Sequence, residues 1–272
     1  PFNVSFGGAR MKLVGSDVGR YEREEWIESA MLAPAERVIV DVRFDRPGNY
    51  VFVNRVRALN HAWGTYFQEA DTLGIVHVRA GATIPDHGAA FERLRTNLDV
   101  VREIDAYRAT FNRPPDRELV LTMRARNLPP VIEAMATGFP VPIDWNDAMG
   151  MMNWATTGNQ ISWTLRDARD GRENMDVLWK FRRGERVRLR IVNDPNVFHA
   201  MAHPIHLHGQ RLLVLSRNGT RTSNLVWKDT ALVQAGETVE LLVEMTNPGR
   251  WMLHCHIAEH LGTGMMMVFD VN

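Results

Sequence analysis

The stretch "NPGRWMLHCHIAEHLGTGMMMVFDV", residues 247–271, decides how this sequence is read. Its two short apolar-rich runs, 250–257 and 265–271, are bounded by Pro-Gly and Gly-Thr-Gly turns and read as strands. The chain's single cysteine, Cys255, lies in the first run between His254 and His256, with His260 and Met265 following. Side chains on an extended strand alternate between its two faces. His254 and His256 therefore point one way and Cys255 the other, so one strand can serve two sites.

A second segment, "HPIHLHG" at 203–209, obeys the same rule. Parity puts His206 and His208 on one face and His203 on the other, with Pro204 favouring a bend beside it. Six of the chain's ten histidines fall in these two segments. Grouped by parity, His206, His208, His254 and His256 form one imidazole cluster, while His203, Cys255 and His260 form another site. Two imidazoles, a thiolate and a long, weak thioether bond make a blue-copper electron-transfer centre, and Met265 follows His260 at an offset suited to the axial position. A closed zinc site of Cys255 with three histidines would leave Met265 and the surplus imidazoles unexplained. A mononuclear electron carrier needs only His203, Cys255, His260 and Met265, and would leave the second cluster idle. The peptide joining Cys255 to His254 and His256 offers a short covalent route between the two sites.

Outward from these clusters the periodicity stays that of strands. They are expected at 118–125, 161–165, 185–193, 211–219 and 238–245, and in an N-terminal unit at 10–17, 36–44, 48–56 and 73–80. Residues 81–118 break the pattern: "GATIPDHG" is loop-like, "AFERLRTNLDVVREIDAY" offers a helical turn or two, and "NRPPDRE" is a stiff linker signal. Many short strands with little helix predict an all-β sandwich, in a chain of 272 residues that is long enough for two units. "LAPAERVIVDVRFDRPGNYVFVN" (32–54) and "VQAGETVELLVEMTNPGRWMLHC" (233–255) share a rhythm of strand, turn, strand, Pro-Gly, strand. They read as two copies of one fold, only the second of which has acquired ligands.

Composition narrows the function by exclusion. Lys plus Arg and Asp plus Glu both number 32, so no charge excess favours a nucleic acid or an anionic surface as partner. "WKFRRGERVRLR" (179–190) reads as a strand with one wet face, with Arg186, Arg188 and Arg190 on its solvated side. No apolar run reaches the roughly 18 residues of a membrane span, and a single cysteine excludes an intrachain disulfide. The opening "PFNVSFGGARMKLVG" has neither an initiator Met nor the order of a signal peptide, which suits a processed start or a fragment.

The two histidine segments, with "NPGRWMLHCHIAEHLGTGMMMVFDV" and "LVWKDTALV", resemble the C-terminal signatures of the multicopper oxidases, the laccase-like and cuprous-oxidase-like enzymes. The resemblance implies cupredoxin-like Greek-key β-sandwiches, one complete domain plus part of a preceding one. Residues 1–80 would be part of a middle domain, 81–118 an interdomain linker, and 119–272 the C-terminal domain of a bacterial three-domain type. By the family pattern His203, Cys255 and His260 would ligate type 1 copper with Met265 axial. His206 would ligate type 2 copper, and His208, His254 and His256 the type 3 pair. The implied reaction is one-electron oxidation of a small reducing substrate coupled to four-electron reduction of dioxygen to water. A periplasmic or secreted location is implied as well.

Two departures qualify the pattern. The family completes its trinuclear cluster with His-x-His motifs from a first domain, and none precedes residue 81; the isolated His61, His77 and His87 have the wrong spacing. The N-terminal portion of the same oxidase, as a separate or cleaved chain, is therefore the expected partner. Many bacterial members also carry a carboxylate directly after the last type 1 histidine, where this chain has Leu261, with Glu259 nearby. Asp229 is a candidate to hydrogen-bond a ligating imidazole. Trp145 and Trp154 would suit phenols if they lie near the type 1 site, and Met149, Met151 and Met152 would suit cuprous ion if they do more than fill apolar gaps.

Overall fold

The computed structural model describes residues 1–60, 65–81, 86–130, 158–197 and 200–272. An N-terminal unit runs through Phe2–Phe6 (β1), Arg10–Ser16 (β2), Gly19–Ile27 (β3), Ala30–Leu32 (β4), Val38–Arg43 (β5), Gly48–Asn60 (β6) and Thr65–Val78 (β7). Two short helices follow, Gly88–Glu92 (α1) and Leu98–Asp105 (α2). The C-terminal unit contains Arg117–Ala125 (β8), Ile161–Asp167 (β9), Trp179–Phe181 (β10), Arg186–Asn193 (β11), His203–Leu207 (β12) and Arg211–Arg217 (β13). It continues with Thr220–Arg221 (β14), Thr230–Val233 (β15), Thr238–Glu244 (β16), Gly249–Cys255 (β17), the helix Ala258–Gly262 (α3) and Met266–Val271 (β18).

The C-terminal strands form two sheets, in the orders β10-β18-β17-β12-β15 and β14-β13-β16-β11-β8-β9. Chain neighbours β16 and β17 lie in different sheets, as do β12 and β13, which gives the all-β, cupredoxin-like Greek-key sandwich. The apolar residues of each strand meet between the sheets: Leu121, Ile191 and Leu241 from one pack with Ile205, Leu253 and Phe269 from the other. Each of these is at least 97% buried, and fully burying one such side chain contributes about 1.5–3 kcal/mol.

The N-terminal unit repeats part of this plan strand for strand. Its sheets run β4-β1-β6-β7 and β3-β2-β5, matching β15-β12-β17-β18 and β14-β13-β16. The registers coincide: Val4 pairs with Ala30 and Asn54 as Ile205 pairs with Ala231 and Cys255. Gly48 pairs with Val78 as Gly249 pairs with Val271. Even the irregularities agree, at Leu13/Gly15 and Val214/Ser216. The shared rhythm in the sequence is thus a shared topology, and the two Pro-Gly turns do the same job. Gly48 (φ 149°) and Gly249 (φ 133°) occupy backbone space that side chains rarely adopt, where the chain crosses from one sheet to the other. Among the described residues the N-terminal unit has no counterpart of β8 to β11, so it is part of a domain beside a complete one. The candidate ligand residues have no counterparts there: Asn54 stands where Cys255 does, Ser5 where His206 does and Val53 where His254 does.

The segment between the units is a packed strap. Val100, Ile104 and Tyr107 bury against Leu213, Leu215, Trp227 and Leu242 on the outer face of the second sheet. This packing corrects one expectation. Arg188 is 5% exposed, not solvated, because the strap lies over that face of β11. Its guanidinium pairs with Glu240 at 2.8 Å and donates to the Phe111 carbonyl, while Arg190 shares Glu240 at 2.7 Å. Arg186 donates to the Ala106 carbonyl. Strand parity grouped these arginines correctly, but a segment from elsewhere in the chain decided their solvation.

Candidate metal centre

Antiparallel partners share a sheet face, so the register of β12 with β17 assigns each histidine to a side. Ile205 pairs with Cys255 on the inner face, and His206 pairs with His254 on the outer. His203, two residues from Ile205, therefore joins Cys255 inside the sandwich. A helix of one turn, α3, brings His260 back over the same spot. The Cys255 sulfur lies 3.7 Å from His203 Nδ1 and 3.5 Å from His260 Nδ1, and the two Nδ1 atoms are 3.1 Å apart. All three side chains are buried. Met265 is fully buried too; its backbone N–H donates to the His260 carbonyl and its carbonyl accepts from Cys255 N–H.

One thiol and two imidazoles converging this closely, with a thioether in the following loop, are a donor set suited to copper. Burial pushes the Cys255 thiol up to about 12. The sulfur thus carries its proton until a cation takes its place, as expected of a buried thiol whose natural partner is a metal.

On the outer face, the rings of His206, His208, His254 and His256 have neighbouring centroids 4.7–5.7 Å apart. His254 Nδ1 faces the Cys255 carbonyl at 2.8 Å, and a carbonyl only accepts. The proton is therefore on Nδ1, and the Nε2 lone pair is left to face His208 Nε2 at 3.0 Å. His206 Nδ1 faces the Asp229 carbonyl at 3.1 Å and the Thr230 hydroxyl at 2.9 Å, which frees its Nε2 in the same way. Burial and the neighbouring imidazoles hold His206 and His254 below the ordinary histidine range, so they present neutral rings. His254 is buried and His256 exposed, so the cluster opens at one side.

Asp229 acts at one remove from His206. Its carboxylate oxygen is 3.5 Å from the ring nitrogen, too long for a hydrogen bond, but it accepts from Thr230, whose hydroxyl contacts that ring. Arg37 of the N-terminal unit grips the same carboxylate with two bonds of 2.7 and 2.6 Å. Although burial opposes it, Arg37 holds Asp229 below the usual carboxylate range. Thr230 and Arg37 went unseen in the sequence; the only signal was the position of Thr230 beside Asp229.

The remaining candidates divide. His77 is exposed and bonded to Asn49, and His87 precedes α1 as its cap residue, so neither joins the cluster. His61, Trp145, Trp154, Met149, Met151 and Met152 lie outside the described residues.

The family model described as Multicopper oxidase matches residues 143–272. Among curated relatives, Laccase-1 of Melanocarpus albomyces is 24% identical over 98% of this chain and 45% of its own length. Laccase-2 of Trametes versicolor is 40% identical over 25% of this chain and 14% of its own. A multicopper oxidase from Campylobacter jejuni, described as a metallo-oxidase, superposes with a TM-score of 0.67 at 21% identity, over 99% of this chain and 50% of that one. A laccase-like oxidase from Ochrobactrum sp. gives 0.57 at 20% identity, over 100% and 52%. These structures share the fold, and this chain spans about half their length. The match to the multicopper oxidase family model is thus at the level of a single domain, residues 143–272.

Proposed function

We propose that this chain is the C-terminal part of a laccase-like oxidase of the bacterial three-domain type. Residues 119–272 form its last cupredoxin domain, 81–118 the linker and 1–80 part of its middle domain. His203, Cys255 and His260, with Met265, would hold type 1 copper; His206 would hold type 2 copper, and His208, His254 and His256 would hold the type 3 pair. The observation that carries this reading is the back-to-back arrangement on β17. Cys255 closes the buried triad on one face, while its two chain neighbours enter the imidazole cluster on the other.

Copper, when bound, supplies the one-electron steps, four oxidations of a reductant balancing reduction of one dioxygen to two waters. The chain's own residues prepare both ends. Burial keeps water from the Cys255 sulfur, the Nδ1 bonds of His206 and His254 aim their Nε2 lone pairs, and the Cys255 peptide links the sites covalently. Phenols and other small reductants suit the electron-accepting end, with cuprous ion a further option through the Met149–Met152 segment. The N-terminal portion of the same oxidase supplies the remaining imidazoles as a separate or cleaved chain, in the periplasm or outside the cell. Support for that partner comes from the partial N-terminal unit and from the share of each relative that this chain spans.

A second reading, a mononuclear blue-copper carrier, is favoured by one fact. Among the described residues the His203, Cys255 and His260 triad is the group whose ligand atoms all close within 4.8 Å. Copper stoichiometry with paired visible and EPR spectra separates the two. Blue and non-blue signals together, with a second polypeptide in the assembly, support the oxidase; a single blue copper on a lone chain that leaves dioxygen untouched supports the carrier.

A further inference from the structure

We propose that Trp163 is the positioning residue of the buried triad, a role that rests on the copper reading above: its indole sets the ring planes of His260 and His203 and walls the Cys255 sulfur from water. Trp163 is 1% exposed on β9. Its ring stacks on His260 with centroids 3.9 Å apart and planes 28° from parallel, and it meets His203 edge-on at 5.0 Å and 69°. The two imidazoles are themselves 4.9 Å apart and tilted by 52°. One flat side chain thus touches both imidazoles, stacked closely on one and edge-on to the other.

The strand that carries the indole also braces the loop that carries the other ligands. Asn174 donates to the Trp163 carbonyl at 3.2 Å and accepts from Leu165 N–H at 2.8 Å. The Ser162 hydroxyl donates to the Thr263 carbonyl at 3.4 Å. A Cβ on Gly264 would come within 3.2 Å of Asn174, so the loop between His260 and Met265 lies directly on this stretch. Rotation of the His260 ring would have to displace the indole, and the indole is fixed by β9. Ligands held in this way are ready before the ion arrives, which is the condition for a tight and well-defined metal site. A cupric ion on one thiolate carries one more positive charge than a cuprous ion there. A dry aromatic wall therefore disfavours the oxidised state and raises the reduction potential.

The test loads the chain with Cu(II) alone and compares Trp163→Phe and Trp163→Leu, with folding checked by circular dichroism. The expected results are a blue band near parental in Trp163→Phe, which keeps a flat ring. Trp163→Leu should bind copper about 10–100-fold more weakly, with a broadened band and a lower potential. Trp163→Met, which fills more of the volume without a flat face, replaces Trp163→Leu if that variant does not fold. Parental affinity, band width and potential in the non-aromatic variant overturn the role of Trp163 while leaving the copper reading intact. A parent chain that takes up copper without a blue band overturns both.

Discussion

Gly209 closes the "HPIHLHG" segment next to His208, and the indole of Trp251 occupies the space a side chain would need. A Cβ built there lies 2.3, 2.4 and 2.5 Å from Trp251 Cδ2, Cε3 and Cε2, at a backbone φ of +69°. The indole has little freedom to retreat, because its N–H donates to the Asn247 carbonyl at 2.9 Å. In Gly209→Ala the left-handed conformation costs about 1–2 kcal/mol and the clash, treated as overpacking, about 1–3 kcal/mol. The variant should therefore lose about 2–5 kcal/mol in urea denaturation of the metal-free chain, at unchanged m-value. Gly8 supplies an internal control. It stands at the equivalent place in the N-terminal unit with φ +75°, and nothing lies within 4 Å of its would-be Cβ. Gly8→Ala pays the conformational cost alone, so the difference between the two variants isolates the clash. The functional consequence is selective: displacing Gly209 moves His208 away from His254 Nε2, whereas the triad lies on the other sheet face. After copper loading, the blue band should persist while the non-blue signal falls. Equal stability losses in the two alanine variants, or loss of the blue band with the non-blue signal retained, would refute this reasoning.

Copper uptake by the triad should displace the Cys255 proton, so between pH 6 and 8 the apparent affinity should rise about tenfold per pH unit, the thiol being protonated throughout that range; competition titrations with a chelator at three pH values measure the slope, and a flat profile sinks the assignment. Asp229→Asn should weaken the imidazole cluster's hold on copper by about tenfold or more through loss of the paired bonds from Arg37, with the blue band unchanged; parental affinity at the non-blue sites rejects that role. Lys12 and Glu24 form a buried pair at 2.9 Å, each side chain 1% exposed, so Glu24→Gln should cost about 3 kcal/mol, the low end for breaking a buried pair, because the ammonium keeps Asp41 at 3.8 Å and the Arg93 carbonyl at 3.3 Å. Despite its burial, bonds from Arg95 and Lys12 hold Glu24 below the usual carboxylate range; its contribution is therefore present above the unfolded pKa and lost as pH falls through the depressed folded value, which acid denaturation of parent and variant would show as a difference shrinking toward low pH.

The two-site reading was legible in the sequence because it depends on a local rule. Parity on "HCH" and "HLH" needs no knowledge of which strands pair, and the register of β12 with β17 leaves it unchanged. Strand positions were legible for the same reason wherever apolar runs met Gly or Pro turns, as at 211–217 and 238–244. Short elements without such runs were not: β1, β3 and β10 carry alternating polar residues or only three positions. What the sequence could not reveal is contact between distant segments. Nothing in "ISWTL" indicates that its tryptophan lies on His260, nothing in "APAER" that Arg37 reaches Asp229, and nothing in "VRLR" that the strap covers Arg188. The correspondence of Asn54 with Cys255 likewise emerges only once both registers are known.

The incomplete N-terminal unit carries a consequence for handling the chain. Among the described residues its strand β5, "VIVDVR", pairs on one side only, with β2, whereas its counterpart β16 is flanked on both sides by β13 and β11. Ile39 on that rim is 54% exposed, and Phe2, Met31 and Ile75 of the companion sheet are each at least half exposed. A short, strongly β-forming segment with an unsatisfied backbone ladder is a template for another strand. Expressed by itself, the chain should be prone to edge-to-edge self-association through β5. A lysine in place of Ile39 would then improve solubility without altering the metal sites, giving a practical route to samples clean enough for the copper measurements.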